Sequence, residues 1–184
     1  MNQNPKPSLR KHFLNLRLNV KIDFKPIITN LDLYLAKQDY KTIGLYYPIN
    51  NEIDIINILP FIDSSKTISL PRIHDNEIHF YNWNRKLSDL IPNEKFNLRE
   101  PKAESNNLVK PDIIITPLIA FDHQLYRLGY GGGYYDRYFT ENTNVIKVGI
   151  ASNIQKSTTL LPVESHDIKL DAIITESGSS SYPP

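Results

Sequence analysis

The segment RLGYGGGYYDRYF, residues 127–139, places four of the chain's seven glycines within five positions and runs straight into aromatic residues around Asp136 and Arg137. Glycine at that density costs backbone entropy, and it is kept where φ is positive or where another body approaches the main chain closely. Ahead of a helix-length run, such a loop presents bare backbone N–H groups at a helix N-terminus, an arrangement that binds phosphate. The chemistry to expect is binding or transfer of a phosphoryl group, and a plain tight turn is the alternative that glycine content alone leaves open. A Walker A loop is excluded because no Gly-Lys-Ser/Thr follows, and the dinucleotide fingerprint because Tyr134 stands where its third glycine belongs. The aromatic run argues against a flexible linker, which would be rich in small polar residues.

The chain that carries this loop has 184 residues, 40% hydrophobic and 22% charged, enough for one globular domain with a single buried core. With 21 Lys and Arg against 20 Asp and Glu, its net charge of +1 gives no electrostatic reason to expect nucleic acid or a membrane as partner. The absence of cysteine removes disulfides, thiolate metal sites and cysteine nucleophiles together. No apolar stretch approaches the ~18 residues needed to span a bilayer, and the opening MNQNPKPSLRKHF lacks the apolar core of a signal peptide. A monomeric, cytoplasmic protein acting on small molecules is the expectation.

The elements that must position the loop follow from periodicity. Leu9, Phe13, Leu16 and Val20 form a helical stripe able to face a core, with Lys6, Arg10 and Arg17 on a different face. FKPIITNLDLYLAK reads as a second helix with Pro26 near its start. TIGLYY, TISLPRI and EIHFYNW read as strands, with EIDIINILPFI as a helical stretch after the first. Residues 91–110 are polar and broken by prolines, which predicts a long loop. PDIIITPLIAFD is an apolar run of the kind buried on both faces of a parallel sheet, and NVIKVGIAS and LDAIITE supply further strands after the helix YYDRYFTEN. Strands alternating with helices predict an α/β fold, a three-layer open sheet, mostly parallel, with ligands at the carboxyl ends of its strands. One domain over residues 1–176 and a disordered tail over 177–184, SGSSSYPP after Glu176, complete the expected organisation.

The stretch PLIAFDHQLYRLGYGGGYYDRYF resembles the signature of the 5-formyltetrahydrofolate cyclo-ligase family, also called 5,10-methenyltetrahydrofolate synthetases. The resemblance continues in order through KPSLRKHFLNLR, YYPINNEIDI, LPRI and LPVESHDIKLDAIITE, so it covers most of the chain. It implies a Rossmann-like fold of sugar-isomerase or CoA-transferase-like topology, and conversion of 5-formyltetrahydrofolate to 5,10-methenyltetrahydrofolate with ATP as co-substrate and Mg²⁺ as cofactor. It also implies that the formyl oxygen is phosphorylated by ATP before the ring closes, chemistry that depends on positioned phosphates and positive charge more than on a nucleophilic side chain.

By the same resemblance, ATP is bound by Lys6, Pro7, Ser8, Leu9 and Arg10 and by the loop residues Arg127, Leu128, Gly129, Tyr130, Gly131, Gly132, Gly133, Tyr134 and Tyr135. Arg127 and Asp136 are the implied catalytic residues, Asp136 and Asp167 the implied metal ligands, and Tyr47, Glu52 and Phe96 the implied folate contacts. A carboxylate at position 52 suits a pterin, whose adjacent N–H donors it can accept together. Some members carry a lysine within the glycine run where this chain has Gly132. The positive charge is then expected from Arg127, Lys6, Arg10 or the metal. The other readings are a non-catalytic folate-binding member and a sugar-phosphate or thioester-transfer enzyme of similar topology.

Overall fold

The computed structural model describes residues 4–104 and 106–181. In chain order its elements are α1 (Lys6–Asn19), α2 (Phe24–Leu35), β1 (Thr42–Gly44), β2 (Thr67–His74), β3 (Glu77–Asn82), β4 (Ile91–Asn93), β5 (Leu98–Glu100), β6 (Leu108–Val109), β7 (Ile113–Thr116), β8 (Ala120–Phe121), β9 (Arg127–Leu128), α3 (Tyr134–Glu141), β10 (Ile146–Ile150), β11 (Ala172–Thr175) and β12 (Gly178–Ser181). Eight of the strands form one sheet in the order β12-β11-β10-β7-β1-β2-β3-β6. Its centre is parallel, with Ile43 opposite both Ile68 and Ile113, and Val148 opposite both Ile115 and Ala172. The outer pairings β2 with β3, β3 with β6 and β11 with β12 are antiparallel. This is the expected α/β fold with a mostly parallel sheet.

Alternation along the strands builds a core on each face of the sheet. Ile43, Ile113, Ile115, Val148 and Ile174 pack with Ile27 and Leu31 of α2, whereas Ile114, Ile173 and Phe80 pack with Phe139 of α3. Helix α2 starts at Asp23, whose carboxylate accepts the Lys25 N–H at 3.1 Å. Pro26 falls in its first turn, where no intrahelical partner awaits an N–H.

Helix α1 departs from the apolar stripe. Its buried residues are Lys6, Phe13 and Arg17, while Leu16 and Val20 are 36% and 43% exposed. Lys6, Arg10, Phe13 and Arg17 follow helical spacing, and this basic stripe is the inward one because the helix docks on polar loop backbone. Its apolar contact is made by Phe13, beside Ile119, Ala120, Leu128 and Leu161, with Leu9 and Leu14 packed against the same cluster.

Four other expectations are corrected. Residues 91–110 hold the hairpin of β4 and β5 and the edge strand β6, strands of two or three residues that are too short to show a periodic pattern. After Glu52 there is only a 3₁₀ turn at Ile55–Ile58. The apolar run after Asp112 ends as a strand at Thr116, because Pro117 has no N–H to continue the ladder. Beyond it, β8 pairs with β9 in a separate ribbon. Within the tail expected to be disordered, β12 pairs with β11 from Gly178 opposite Thr175 to Ser181 opposite Ala172. Edge pairing uses backbone groups, so a serine run can supply it. Residues 182–184 lie outside the described residues. Among the described residues, no helix is long and apolar enough to cross a membrane.

The sheet order fixes where a ligand fits. The chain steps from β1 to β2 in one direction and from β7 through β10 to β11 in the other, so the order reverses between β1 and β7. In open α/β sheets the crevice at such a reversal, beyond the carboxyl ends of the strands, is the ligand site.

Candidate active site

Two adjoining hollows occupy that end of the sheet. The glycine loop leaves β9 and enters α3 through Gly133, which stands in the left-handed region at φ 65° and offers no side-chain cap. The first turn of α3 therefore keeps its N–H groups for another acceptor. Gly131, at φ 101°, bends the loop so that the Arg10 guanidinium lies 3.3 Å from where a Cβ would be. A side chain at Gly132 would begin 2.5 Å from the Tyr134 ring, so a lysine there requires that ring to move.

The first hollow, about 180 Å³, is lined by this loop together with Lys6, Arg10, Arg127, Asp136, Glu164, His166 and Asp167. Buried Lys6 donates to Asp167 at 2.7 Å and to Glu164 at 2.9 Å. Burial works to lower the Lys6 pKa, but the two carboxylates outweigh it and raise it. Burial likewise works to raise the Asp167 carboxyl, yet Lys6 and the Glu164 N–H hold it below its ordinary value. Arg10 Nε donates to the Gly129 carbonyl at 2.8 Å. Arg127 is more deeply committed: it donates to Asp136 Oδ1 and to the Ile168 carbonyl, both at 2.8 Å, and lies over the Phe139 ring. Asp136 Oδ1 also accepts the Ile168 N–H at 3.0 Å.

The second hollow, about 300 Å³, is enclosed by Tyr46, Tyr47, Glu52, Pro71 and Ile73 on one side and by Phe96, Leu98, Arg99 and Glu100 of the hairpin on the other. Pro117, Tyr130, Gly132, Tyr134 and Tyr135 line both hollows, so the glycine loop is the wall between them. Phe96 meets the Tyr134 ring edge to face at 6.0 Å. Glu52 is 7% exposed. Its Oε2 accepts the Ile49 N–H at 2.9 Å, while Oε1 is buried with no hydrogen-bond partner among the described residues. Burial pushes the Glu52 carboxyl up to about 7, against the opposing pull of the Ile49 N–H, Tyr130 and Arg17. A buried acceptor without a donor beside an apolar cavity is what a ligand with paired N–H groups would satisfy.

The structure thus brings together Lys6, Arg10, Arg127, the loop, Asp136 and Asp167 around one hollow, and Tyr47, Glu52 and Phe96 around the other. Within residues 6–10, Pro7 and Ser8 are exposed and Leu9 packs toward Phe13, away from the lining. Sequence reasoning missed Glu164, Tyr46, Glu100 and Arg17. Buried Glu100 accepts from the Ile73 N–H at 3.0 Å and from Asn93 at 2.8 Å, fixing the hairpin over the cavity; an acid in a polar stretch gave no sign of this. Arg17 was visible only as the third member of the basic face.

The donor set suits a hard divalent cation. Among the described residues, the hydrogen bonds to the Asp136 carboxylate fall on Oδ1 and those to Asp167 on Oδ2, which leaves the second oxygen of each carboxylate available to a ligand. Ligand atoms of Glu164, His166 and Asp167 lie within 4.8 Å of one another. Mg²⁺ takes one or two carboxylates and completes its shell with water and phosphate oxygens, which this cleft accommodates.

The family model for the 5-formyltetrahydrofolate cyclo-ligase family matches residues 3–176. The chain is 31% identical over 186 residues to a 5-formyltetrahydrofolate cyclo-ligase of Haemophilus influenzae, covering 95% of this chain and 99% of the relative. It is 32% identical over 182 residues to the one from Mycoplasma pneumoniae, covering 93% and 98%. Among solved structures, the NMR structure of Aquifex aeolicus 5,10-methenyltetrahydrofolate synthetase superposes with a TM-score of 0.79 at 30% identity, covering 98% of this chain and 94% of that one. The Mycoplasma pneumoniae 5,10-methenyltetrahydrofolate synthetase gives 0.71 at 29% identity, covering 95% and 98%.

Proposed function

The chain belongs to the 5-formyltetrahydrofolate cyclo-ligase family, and from that membership we propose that it closes 5-formyltetrahydrofolate to 5,10-methenyltetrahydrofolate at the expense of ATP. The γ-phosphoryl group passes from ATP to the formyl oxygen, forming an O–P bond as the bond to ADP breaks. The second folate nitrogen then attacks the formyl carbon and gives up its proton to solvent, and the formyl oxygen leaves as phosphate. The observation that carries this reading is the paired hollow: a glycine-lined cleft with cations sharing a wall with an apolar cavity that ends in a buried carboxylate with one oxygen unpartnered among the described residues.

Each group has a part in it. Backbone N–H groups of Gly129 to Gly133 and the start of α3 hold the nucleotide phosphates, with Lys6 and Arg10 at their flank. Asp136 and Asp167, with Glu164 beside Lys6, would hold Mg²⁺, which supplies charge neutralisation for the phosphates when bound. Arg127 acts one step back, by fixing Asp136 with a buried ion pair at 2.8 Å. Glu52 accepts the pterin N–H donors, Phe96 and Tyr47 cover the ring, and the shared wall sets the formyl oxygen against the γ-phosphate. A monomer of one domain, its sheet running on through β12, and working in the cytoplasm, is the setting in which we place this activity.

Folate binding should depend on pH through Glu52. A carboxyl raised to about 7 binds a proton more tightly in the folded than in the unfolded state. Stability of the ligand-free protein therefore falls as pH rises from the ordinary carboxyl value toward 7. The ligand's N–H donors select the ionised form, so the KM for folate should rise as pH drops below about 7. Glu52→Gln should flatten that limb and raise the folate KM by roughly tenfold, with ATP affinity unchanged, since one buried donor loses its acceptor. Equal losses for folate and ATP, or an unaltered acid limb, would place Glu52 outside the pterin pocket.

A further inference from the structure

Arg17 lines neither hollow, yet it is 3% exposed on the inner face of α1. Its Nη2 donates to the Asn50 carbonyl and to the Tyr130 hydroxyl, both at 2.7 Å, and Nη1 reaches the Leu118 carbonyl at 3.4 Å. Its Nε is buried without a partner, and among the described residues no carboxylate forms an ion pair with it. A buried guanidinium with no counter-ion is a poor way to fasten a helix, because its desolvation is left uncompensated.

What it joins explains its place. Asn50 and Asn51 stand at φ 47° and 57° in the turn that carries Glu52, and that turn closes through the Glu52 N–H to the Ile49 carbonyl at 2.8 Å. Tyr130 is the middle of the glycine loop. Its oxygen accepts from Arg17, so its own O–H must be donated elsewhere. Glu52, with Oε1 unpartnered, is near enough for the Tyr130 hydroxyl to pull its carboxyl down. We infer that Arg17 is a positioning residue: through Asn50 and Tyr130 it holds Glu52 as a charged acceptor and ties the pterin cavity to the loop that holds the nucleotide. This rests on the reading of Glu52 as the pterin's partner.

The groups facing Glu52 from each packed element are Arg17 on α1, Tyr46 beyond β1, Tyr130 on the loop and Tyr135 on α3. Arg99 and Glu100 stand across the cavity. Of these, Arg17 brings charge of the sign that favours the Glu52 carboxylate and is also bonded to its turn. Lysine would keep the charge but lacks the planar fork that serves both acceptors.

The test is the pH profile of kcat/KM for 5-formyltetrahydrofolate at saturating Mg-ATP in Arg17→Met, Tyr130→Phe and the double variant, with Glu52→Gln alongside. Arg17→Met should raise the folate KM about tenfold at neutral pH and move the acid limb to higher pH. Tyr130→Phe should move that limb the same way by less, and the double variant should lose less than the product of the two, since they act in series. Glu52→Gln should have no limb to move. If Arg17→Met does not fold, Tyr130→Phe decides: an unshifted limb overturns the inference. So does a folded Arg17→Met whose folate and ATP constants worsen in step with the limb unmoved, which would make Arg17 a helix clamp only. A wild-type folate KM in Glu52→Gln would overturn the pterin reading itself, and the inference with it.

Discussion

Replacing Gly131 by valine is expected to cut ATP affinity by about tenfold to a hundredfold, the value of one lost charge-assisted hydrogen bond or more. Two effects combine. The φ of 101° lies where L side chains are strained, and the new Cβ would sit 3.3 Å from the Arg10 guanidinium, so both the backbone cradle and the cation beside it must shift. The same strain costs about 1–2 kcal/mol of stability, so the melting temperature falls as well. Calorimetry on the folded fraction separates the two: a phosphate cradle loses ATP affinity, whereas a simple turn would melt early and bind ATP as before. That second pattern would remove ATP from residues 127–135.

Asp136→Asn is expected to lower kcat by about a hundredfold to a thousandfold at saturating ATP, the range seen when one preorganised charge at a transition state is lost. Asparagine keeps an oxygen for the Ile168 N–H but no charge for Arg127, whose side chain is only 5% exposed. The variant should therefore also be less stable, since removing one partner of a buried pair leaves the other uncompensated. A purely structural Asp136 would show the lower melting point with wild-type turnover per folded molecule at every magnesium concentration. A metal ligand shows a rate that added magnesium restores only in part.

The parts of this site that were legible in the sequence are those whose physics is local. Four glycines before YYDRYF can be read as a loop entering a helix because both halves are contiguous, and alternating strand and helix patterns give the α/β sheet. The resemblance to a known family supplied Glu52, Asp136 and Asp167, which no periodicity marks. What stayed hidden is non-local. Arg17 stood in the sequence only as a member of the face away from the apolar stripe, and only the docking of α1 on residues 50, 118 and 130 turns it inward. Arg127 looked like free charge for a phosphate, whereas the fold brings the Ile168 carbonyl and Asp136 against it. The stripe held for Leu9 and Phe13, which pack in an apolar cluster, and failed for Leu16 and Val20, because α1 also sits on polar backbone, where hydrogen-bonding residues such as Arg17 take the inner face. The β4–β5 hairpin was invisible because three-residue strands give alternation too little length to register.

The central claim is that one active site joins the nucleotide cleft to the folate cavity and transfers a phosphoryl group between their occupants. It is tested most directly by mixing the protein with Mg-ATP and 5-formyltetrahydrofolate, following the near-ultraviolet absorbance of the methenyl product together with ADP and phosphate. The expected result is one ADP and one phosphate per methenyltetrahydrofolate formed, and no product when nucleotide is withheld. Methenyl product that accumulates unchanged without nucleotide, or folate that binds in the cavity with neither product nor ADP appearing, would contradict it.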